Sequence, residues 1–365
     1  MPHTPKKIEL NYRIPNEVSR ITKTLRDAGF EAYLVGGCAR DMILGRKPKD
    51  WDITTDAKPE QIQALFEETF YENEYGTVGV VNKTEDETLK VVEVTPYRTE
   101  GVYSDKRRPD TVSFHAKLPD DIKRRDFTIN AIAYDDSKGH IIDPYKGQTD
   151  LKDKVLRTVG NPNDRFHEDA LRILRAVRIA TDLGFTININ TQEAIVKTAP
   201  NLKEIATERI RDEFSKLIMS DNPIIGISLC EKLGLLDHIV PELKSGIGVK
   251  QNGAHIYTVW EHNLRAVQHS ADRKWPIHIR LSALFHDISK PETRHWSEEK
   301  KNWTFYGHDV VGGRVTKKIL ERLKYPKKII DTVSTLVRYH LFFSAIDKIT
   351  LSAVRRIVRN VGPEN

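Results

Sequence analysis

The chain has 365 residues, which is long for a single hydrophobic core and predicts two or three domains. It carries 58 Lys and Arg against 52 Asp and Glu, a net charge of +6, so charge permits binding to a polyanion without establishing it. Two separated cysteines and no CxxC motif argue against a disulfide framework or a thiolate zinc site. With no apolar leader and no long apolar run, we expect a cytoplasmic protein without membrane insertion.

The first 150 residues alternate helical and extended patterns. Helices are predicted over residues 14–29, "CARDMIL" and "PEQIQALFEETF", and strands over "EAYLVGG", "WDITT", "GTVGVVNK", "LKVVEVTPY" and a pair around "DDSKG". This alternation predicts an α/β or α+β unit ending near Asp150. The polar stretch "RTEGVYSDKRRPDTVSFH" is predicted to be a long loop. Beyond residue 160 strand signals fade, and the remainder is predicted to be all-helical.

A glycine pair precedes two aspartates in "LVGGCARDMILGRKPKDWDITTD". If "WDITT" is extended, Asp50 and Asp52 project from one face, and their repulsion favours a divalent ion such as Mg²⁺, which binds carboxylates together with substrate phosphates. Gly36 and Gly37 allow the backbone to approach a phosphate, and Arg40 offers a fork for phosphate oxygens. The pattern predicts a Mg²⁺ and nucleoside triphosphate site. The alternative is a glycine turn followed by surface aspartates.

A third acidic residue, Glu93, lies between the valines of "KVVEVTPYR". A carboxylate on a buried strand is costly unless it is paired, so this position favours a role for the charge. On a neighbouring strand, Glu93 would complete a two-metal site with the two aspartates. An ordinary ion pair with Arg98 is the alternative.

Asp169, Arg172, Arg175 and Arg178 follow one another at i+3 steps in "EDALRILRAVR", which is predicted to be helical. An intrahelical ion pair between Asp169 and Arg172 would explain the pattern without any function. The functional interpretation rests on hydrogen-bond polarity. An Asp acceptor beside an Arg donor matches the Watson–Crick edges of cytosine and adenine, whereas uracil and guanine present the reversed order.

Four motifs, in order, resemble those of class II tRNA nucleotidyltransferases, the CCA-adding enzymes and their bacterial poly(A) polymerase relatives. The motifs are "LVGGCARDMILGRKPKDWDITTD", "RRDFTINAIAY", "EDALRILRAVR" and "TERIRDE". The resemblance implies an α+β protein with a polymerase-β-like nucleotidyltransferase head, a mixed sheet with helices, over residues 1–152. It implies a helical neck that recognises the nucleotide base over 153–212 and a helical body over 213–250.

The resemblance also implies the substrates, tRNA with ATP and CTP, and the roles of individual residues. It implies that Asp50 and Asp52 are catalytic and bind Mg²⁺. Glu93 joins the predicted catalytic residues only from its position on the strand, and Gly36 joins the nucleotide-binding residues only from the glycine pair. The nucleotide-binding residues that the resemblance implies are Gly37, Arg40, Arg125, Asp126, Asn130, Asp169, Arg172, Arg175 and Arg178.

Within the family that the motifs resemble, enzymes that add only CC lack part of the loop between the first two motifs. The loop "GVYSDKRRPDTVSF" is intact in this sequence, so the resemblance argues against an enzyme that adds only CC. Arg107 and Arg108 in this loop would suit RNA, although loop arginines are often merely solvated.

Four histidines border apolar helical sequence in "VWEHNLRA", "LFHDISKP", "FYGHDVVGG" and "VRYHLFF". Imidazoles with a carboxylate form a ligand set for Mn²⁺, Ni²⁺, Co²⁺ or Fe²⁺. "ALFHDISKP" resembles the central motif of the HD phosphohydrolase superfamily, which implies a helical HD domain over 251–365 and metal-assisted phosphoester hydrolysis. The predicted ligands are His262, His286, Asp287, His308 and His340.

The leading hypothesis is template-independent CCA addition, in which the 3′-OH of tRNA attacks the α-phosphate of CTP or ATP and pyrophosphate leaves. Addition of the terminal A alone and poly(A) synthesis stay open as alternatives. A hypothesis of another class is an HD metal phosphohydrolase acting on RNA ends or nucleotides. A non-catalytic RNA-binding protein is the remaining alternative, and no obligate protein partner is inferred.

Overall fold

The chain forms two compact units. Unit 1 comprises Met1–Arg172 and Phe185–Ala194, and unit 2 comprises Ile173–Gly184 and Ile195–Asn365. The predicted division into four domains is finer than this and stays a prediction. No helix among the described residues combines the length and the apolar character needed to cross a membrane. The computed structural model describes residues 6–7, 12–71, 76–100, 112–113, 117–252, 256–342 and 349–362.

Unit 1 contains most of the strands. They are β1 (Lys6–Lys7), β2 (Ala32–Val35), β3 (Asp52–Thr55), β4 (Thr69–Tyr71), β5 (Val78–Val81), β6 (Val91–Pro96), β7 (Thr99–Glu100), β8 (Val112–Ser113), β9 (Ala133–Asp135), β10 (His140–Ile142), β11 (Val155–Leu156) and β12 (Thr186–Ile187). Its helices are α1 (Asn16–Asp27), α2 (Gly36–Ile43), α3 (Pro59–Leu65), α4 (Leu118–Lys123), α5 (Gly147–Asp153) and α6 (Pro162–Glu168), with a 3₁₀ helix at Thr128–Asn130.

Eight of these strands form one mixed sheet in the order β1-β10-β9-β2-β3-β6-β5-β4. Strands β3 and β6 are parallel, with Asp52 in register with Glu93. The other neighbours in the sheet are antiparallel. Since residues in register point to the same face of a sheet, the pairing places these two acidic residues side by side.

Helix α1 shows how local pattern produces the core of unit 1. Val18, Ile21 and Leu25, spaced for one face of a helix, are all fully buried, as their spacing predicts. Helix α2 contacts β2, β3, β9 and the 3₁₀ helix, so it lies directly against the centre of the sheet. The strand pair around "DDSKG" also forms as predicted, between β9 and β10.

The predicted helix over "PEQIQALFEETF" is wrong in its second half. Helix α3 ends at Leu65, and Thr69–Tyr71 form β4, which pairs with β5 at the edge of the sheet. Gly79 on β5 has no side chain, and a Cβ there would lie 2.5 Å from the Phe70 ring. The ring of Phe70 therefore covers Gly79, a tertiary contact that outweighs the local helical pattern.

Unit 2 is mainly helical. A boundary between the units falls within each of α7 (Leu171–Leu183) and α8 (Ile189–Thr198). The later helices are α9 (Thr207–Ile218), α10 (Pro223–Lys232), α11 (Leu236–Ile239), α12 (Val259–Asp272), α13 (Ile277–Phe285), α14 (Lys290–Thr293), α15 (His308–Arg322), α16 (Lys327–Tyr339) and α17 (Leu351–Val361). Short 3₁₀ helices lie at Ala199–Glu204 and Pro241–Gly246, and two strands follow α14, β13 (His295–Ser297) and β14 (Asn302–Thr304).

The mixed sheet and the helical remainder confirm the predicted α+β class, but the helical part is interrupted by strands. Besides β12, the hairpin β13-β14 pairs Trp296 directly with Trp303. The two rings lie 5.4 Å apart edge to face, and the guanidinium of Arg294 lies 3.7 Å from the centre of the Trp303 ring. These aromatic and cation–π contacts favour a hairpin where the sequence predicted only helix.

Gly147, at the start of α5, supports the 3₁₀ helix of unit 1. A Cβ there would lie 2.2 Å from the carbonyl oxygen of Thr128, so we expect Gly147→Ala to lower the free energy of unfolding by about 2 kcal/mol. Gly160→Ala is the control, because Gly160 has open space and only its left-handed φ of +68° opposes a side chain, at about 1 kcal/mol. Urea unfolding followed by circular dichroism measures both. An equal loss of unfolding free energy in the two variants would contradict the predicted clash at Gly147.

Candidate active sites

The turn from β2 into α2 brings backbone close to two charged groups. Gly36 has a φ of +73°, a left-handed conformation that favours glycine. A Cβ on Gly36 would lie 3.1 Å from a carboxylate oxygen of Asp52 and 3.2 Å from a guanidinium nitrogen of Arg125. Glycine therefore permits an approach that a side chain would obstruct. We call Gly36, Gly37, Asp52 and Arg125 the glycine cradle.

The Cys38 side chain also links helix α2 to strand β3. The thiol of Cys38 donates to the carbonyl of Val35 at 3.1 Å and to that of Asp52 at 3.5 Å. Burial and the negative charge of Asp52 raise the pKa of the Cys38 thiol to about 12. The thiol therefore stays protonated and positions β3 rather than acting as a nucleophile.

The predicted catalytic carboxylates are only partly brought together. Asp52 and Glu93 are in register on neighbouring strands, and both are partly exposed. Strand β3 starts at Asp52, one residue later than predicted, and Trp51 before it is packed in the core at 1% exposure. Asp50 is exposed in the bend before the strand, so strand alternation does not by itself place it beside Asp52.

Among the described residues, two groups contain three or more potential metal ligands whose ligand atoms lie within 4.8 Å of one another. Both groups are in unit 2. The three carboxylates of unit 1 are not such a group. Their chemistry nevertheless suits Mg²⁺, because carboxylate oxygens are its preferred protein ligands and it binds through only one or two of them.

Arg40, Asp126 and Asn130, predicted separately, form one hydrogen-bonded chain. Arg40 Nη1 donates to Asn130 Oδ1 at 2.8 Å, and Asn130 Nδ2 donates to Asp126 Oδ1 at 3.0 Å. Arg40 also forms a fork with the neighbouring Asp41 at 2.9 and 3.1 Å. The chain fixes the Arg40 guanidinium beside the start of α2, where the sequence predicts contact with phosphate.

The predicted base-recognition pair differs from expectation. Helix α7 begins at Leu171, so Asp169 precedes the helix, and its carboxylate accepts from the Leu171 amide at 3.0 Å. One nitrogen of Arg172 donates to Glu168 at 2.5 Å. A second nitrogen of Arg172 donates to the carbonyl of Arg124 at 3.1 Å. Sequence reasoning missed Glu168, although its i,i+4 spacing to Arg172 indicated the contact.

The two later arginines of this motif belong to unit 2. Arg178 donates to Glu213 at 2.6 Å and to Asp182 at 3.2 Å. Burial would raise the pKa of Glu213, but the positive charges of Arg178 and Arg175 hold it below its usual value. Both arginines therefore stabilise a buried carboxylate. Arg107 and Arg108 lie outside the described residues.

All five predicted ligands of the second site come together in unit 2. His262 lies on α12, His286 and Asp287 follow α13, His308 begins α15 and His340 follows α16. One oxygen of Asp287 lies 3.3 Å from His262 Nε2 and 3.2 Å from His286 Nε2. The other oxygen lies 3.2 Å from His308 Nε2 and 3.6 Å from His340 Nε2. We call these five residues the histidine centre.

Backbone carbonyls fix three of the imidazole rings. Nδ1 of His286 lies 2.9 Å from the Ala283 oxygen, Nδ1 of His308 lies 2.6 Å from the Phe305 oxygen, and Nδ1 of His340 lies 2.7 Å from the Val337 oxygen. A proton on each Nδ1 leaves each Nε2 with a lone pair directed at the centre. These residues therefore fit a divalent transition metal.

Close contacts between ring nitrogens support that fit. His262 Nε2 lies 2.9 Å from His286 Nε2, and His308 Nε2 lies 3.3 Å from His340 Nε2. Two lone pairs at these distances repel unless a metal ion or a proton lies between them. Lys290, which sequence reasoning did not identify, is buried and lies 2.7 Å from Asp287, balancing the carboxylate charge.

Three family models match the chain. They are described as "Poly A polymerase head domain" at residues 32–157, "Probable RNA and SrmB- binding site of polymerase A" at 184–247 and "HD domain" at 254–359. A nucleotidyltransferase head together with an HD domain implies dependence on divalent metal ions.

The chain is similar to curated CCA-adding enzymes. It is 47% identical over 218 residues to the "CCA-adding enzyme" of Ligilactobacillus salivarius, a match covering 59% of this chain and 52% of that protein. The chain thus spans about half the length of this relative. It is 35% identical over 319 residues to the "CCA-adding enzyme" of Geobacillus thermodenitrificans, covering 87% of this chain and 68% of that protein.

The fold is similar to that of a solved structure, the "Crystal structure of Bacillus stearothermophilus CCA-adding enzyme in complex with CTP". The TM-score is 0.66 at 28% identity, and the match covers 95% of this chain and 76% of that chain. Taken with the relatives and the head-domain match, the chain belongs to the CCA-adding enzyme family.

Proposed function

We propose that this chain adds CCA, or its terminal A, to tRNA 3′ ends from CTP and ATP without a nucleic-acid template. The observation that carries the proposal is the register of β3 and β6, in which Asp52 of the glycine cradle pairs with Glu93. Curated relatives are named CCA-adding enzymes, and the similar enzyme of Bacillus stearothermophilus was solved in complex with CTP.

The residues of the glycine cradle suggest how the triphosphate and Mg²⁺ would each be bound. Gly36 and Gly37 would let a triphosphate approach the start of α2, where free backbone N–H groups and Arg40 bind phosphate oxygens. Arg125 adds a second fixed positive charge. Asp50, Asp52 and Glu93 would hold Mg²⁺. When bound, Mg²⁺ supplies positive charge for the leaving pyrophosphate and makes the tRNA 3′-OH more acidic.

Base selection is proposed to rest on Asp169 and Arg172. The order of acceptor and donor matches the Watson–Crick edges of cytosine and adenine. Because Arg172 is already held by Glu168 and by the Arg124 carbonyl, its remaining N–H groups point in fixed directions. A fixed donor disfavours uracil and guanine, whose edges carry the reversed order.

Addition of A alone and poly(A) synthesis share these residues and are distinguished by product. Transcripts ending before C, after one C and after CC would all be extended by a CCA-adding enzyme. Extension of only the last would assign addition of the terminal A, and long A tails on mRNA would assign a poly(A) polymerase. A cytoplasmic location without an obligate protein partner completes the proposal.

A second candidate activity is metal-dependent phosphoester hydrolysis at the histidine centre. The observation that favours it is the convergence of four imidazoles on one buried carboxylate. These residues would hold Mn²⁺, Ni²⁺, Co²⁺ or Fe²⁺, and Lys290 would keep Asp287 charged and in place. A metal bound there supplies Lewis acidity for hydrolysis of a phosphoester at an RNA end or in a nucleotide.

The first prediction tests the cradle. Asp52→Asn removes one charge where Mg²⁺ is expected, so nucleotide incorporation into tRNA should fall by roughly a thousand-fold or more, on the order of 4 kcal/mol in the barrier. Labelled CTP and ATP with Mg²⁺ measure it. Asp153→Asn, an exposed aspartate on α5, is the matched control and should leave the rate unchanged. A wild-type protein that incorporates neither nucleotide would refute the proposed function.

The second prediction tests base selection. Arg172→Lys keeps the charge but replaces the planar fork with a flexible ammonium, so discrimination against UTP and GTP should fall by roughly ten-fold or more. Competition between CTP and UTP on the same tRNA measures it. Lys152→Arg, exposed on α5, is a control that changes one cation for another elsewhere. Unchanged discrimination in Arg172→Lys would remove Arg172 from base selection.

The third prediction separates the two sites. Asp287→Asn should abolish metal-stimulated hydrolysis of p-nitrophenyl phosphate or cyclic nucleotides while leaving nucleotide addition within about two-fold of wild type. Asp52→Asn should show the opposite pattern. His295→Asn, an exposed histidine on β13, controls for loss of an imidazole in unit 2. Hydrolysis that survives Asp287→Asn with Mn²⁺, Ni²⁺ or Co²⁺ would exclude the histidine centre as its source.

A further inference from the structure

Asp121, on α4, is a buried carboxylate outside the motifs that the sequence singles out. Its side chain is 0% exposed. One oxygen accepts from Arg124, at 3.0 Å from Nε and 2.5 Å from an Nη. The other accepts from Arg125 at 3.0 Å and from the hydroxyl of Thr54 at 3.3 Å. Asp121 therefore joins two arginines to the strand that begins with Asp52.

The charges around Asp121 are closely balanced. Burial would raise the pKa of Asp121, but Arg125 and Arg124 together lower it below its ordinary value. Burial likewise opposes the charge of Arg125, but its carboxylate neighbours together raise its pKa, Asp121 most, followed by Asp52 and Asp126. Arg125 therefore interacts with Asp121 on α4, with Asp52 in the glycine cradle and with Asp126.

The charge of Arg125 therefore interacts with a fixed partner, Asp121, and also with the glycine cradle. The Arg125 guanidinium lies 3.2 Å from the position a Cβ on Gly36 would occupy, where a triphosphate is proposed to bind. If Asp121 lost its charge, the carboxylates of Asp52 and Asp126 would be left to attract Arg125. The guanidinium would then be drawn towards these carboxylates and would partly neutralise the one proposed to hold Mg²⁺, which leaves less positive charge for the triphosphate.

We propose that Asp121 is a positioning residue for nucleotidyl transfer, which holds Arg125 towards the triphosphate and away from the metal-binding carboxylate of Asp52. The inference rests on the proposed function. It assigns Asp121 no contact with substrate. Its effect passes through Arg125, so it predicts changes in nucleotide and Mg²⁺ dependence rather than in tRNA binding.

The test uses Asp121→Asn, which keeps the shape and removes the charge. We expect the KM for CTP and ATP to rise roughly ten-fold, the half-saturating Mg²⁺ concentration to rise several-fold, and the KM for tRNA to stay within about two-fold. Asp120→Asn is the matched control, because the neighbouring Asp120 is exposed and its carboxylate accepts from the Lys117 amide at the start of α4. It should change none of these values.

Two further variants keep the result interpretable. Thr54→Val removes a hydroxyl whose single proton is shared between the same Asp121 oxygen at 3.3 Å and the Thr95 carbonyl at 3.1 Å, and it retains the charge of Asp121. It should raise the KM for CTP by up to about two-fold even if Asp121→Asn does not fold. In an Arg125→Gln background, Asp121→Asn should raise the KM for CTP by less than about two-fold, because Arg125, the residue through which Asp121 acts, is already replaced.

Direct binding of CTP, measured by equilibrium dialysis, separates this inference from the proposed function. A wild-type protein that neither binds CTP nor extends tRNA would overturn both. A wild-type protein that does both, with a folded Asp121→Asn variant of unchanged CTP affinity and Mg²⁺ dependence, would overturn only the role of Asp121. If Asp121→Asn raised the KM for CTP equally in the wild-type and Arg125→Gln backgrounds, the role of Asp121 would also be overturned.

Discussion

Pairing of buried carboxylates with fixed cations is the constraint on which both candidate sites depend. A carboxylate removed from water is unfavourable unless a cation lies beside it. In unit 1, Asp121 is held by Arg124 and Arg125. In unit 2, Asp287 is held by Lys290 at 2.7 Å. Each pair offsets the cost of burying its carboxylate, and further potential metal ligands lie beside it.

The two sites use this principle with different ligands, and the ligands suit different metals. Unit 1 offers carboxylate oxygens near a backbone turn that can admit a phosphate, which suits Mg²⁺. Unit 2 offers imidazole nitrogens whose rings are fixed by backbone carbonyls, which suits a transition metal. Each unit thus carries its own ligand chemistry, and one can be disabled by substitution without removing ligands from the other.

The sequence predicted the features that depend on local pattern. Helix α1, strand β2 and helix α2 follow from the spacing of apolar residues and from glycine, and the histidine centre follows from imidazoles at the borders of apolar helices. The local pattern left α/β and α+β open, and the resemblance to a known family supplied the α+β class, which the structure confirms.

The wrong predictions and the missed residues have one kind of cause, contacts between residues that only folding brings together. Residues 69–71 form a strand because Phe70 covers Gly79, and the hairpin of Trp296 and Trp303 forms through ring contacts across strands. Glu168, Lys290 and Asp121 were missed because their importance lies in charged neighbours brought close by folding. Arg125 and Asp52, for example, are far apart in sequence but flank Gly36 together.

The contacts of Arg172 show how such pairing can also give specificity. Its guanidinium donates to Glu168 at 2.5 Å, to the Arg165 carbonyl at 3.2 Å and to the Arg124 carbonyl at 3.1 Å. A side chain held by several acceptors loses little further conformational entropy when a ligand arrives, and it cannot rotate to suit a different base. Under the proposed function, a reversed base edge would meet a donor that stays in place, so the proposed rejection of U and G would follow from rigidity as much as from charge.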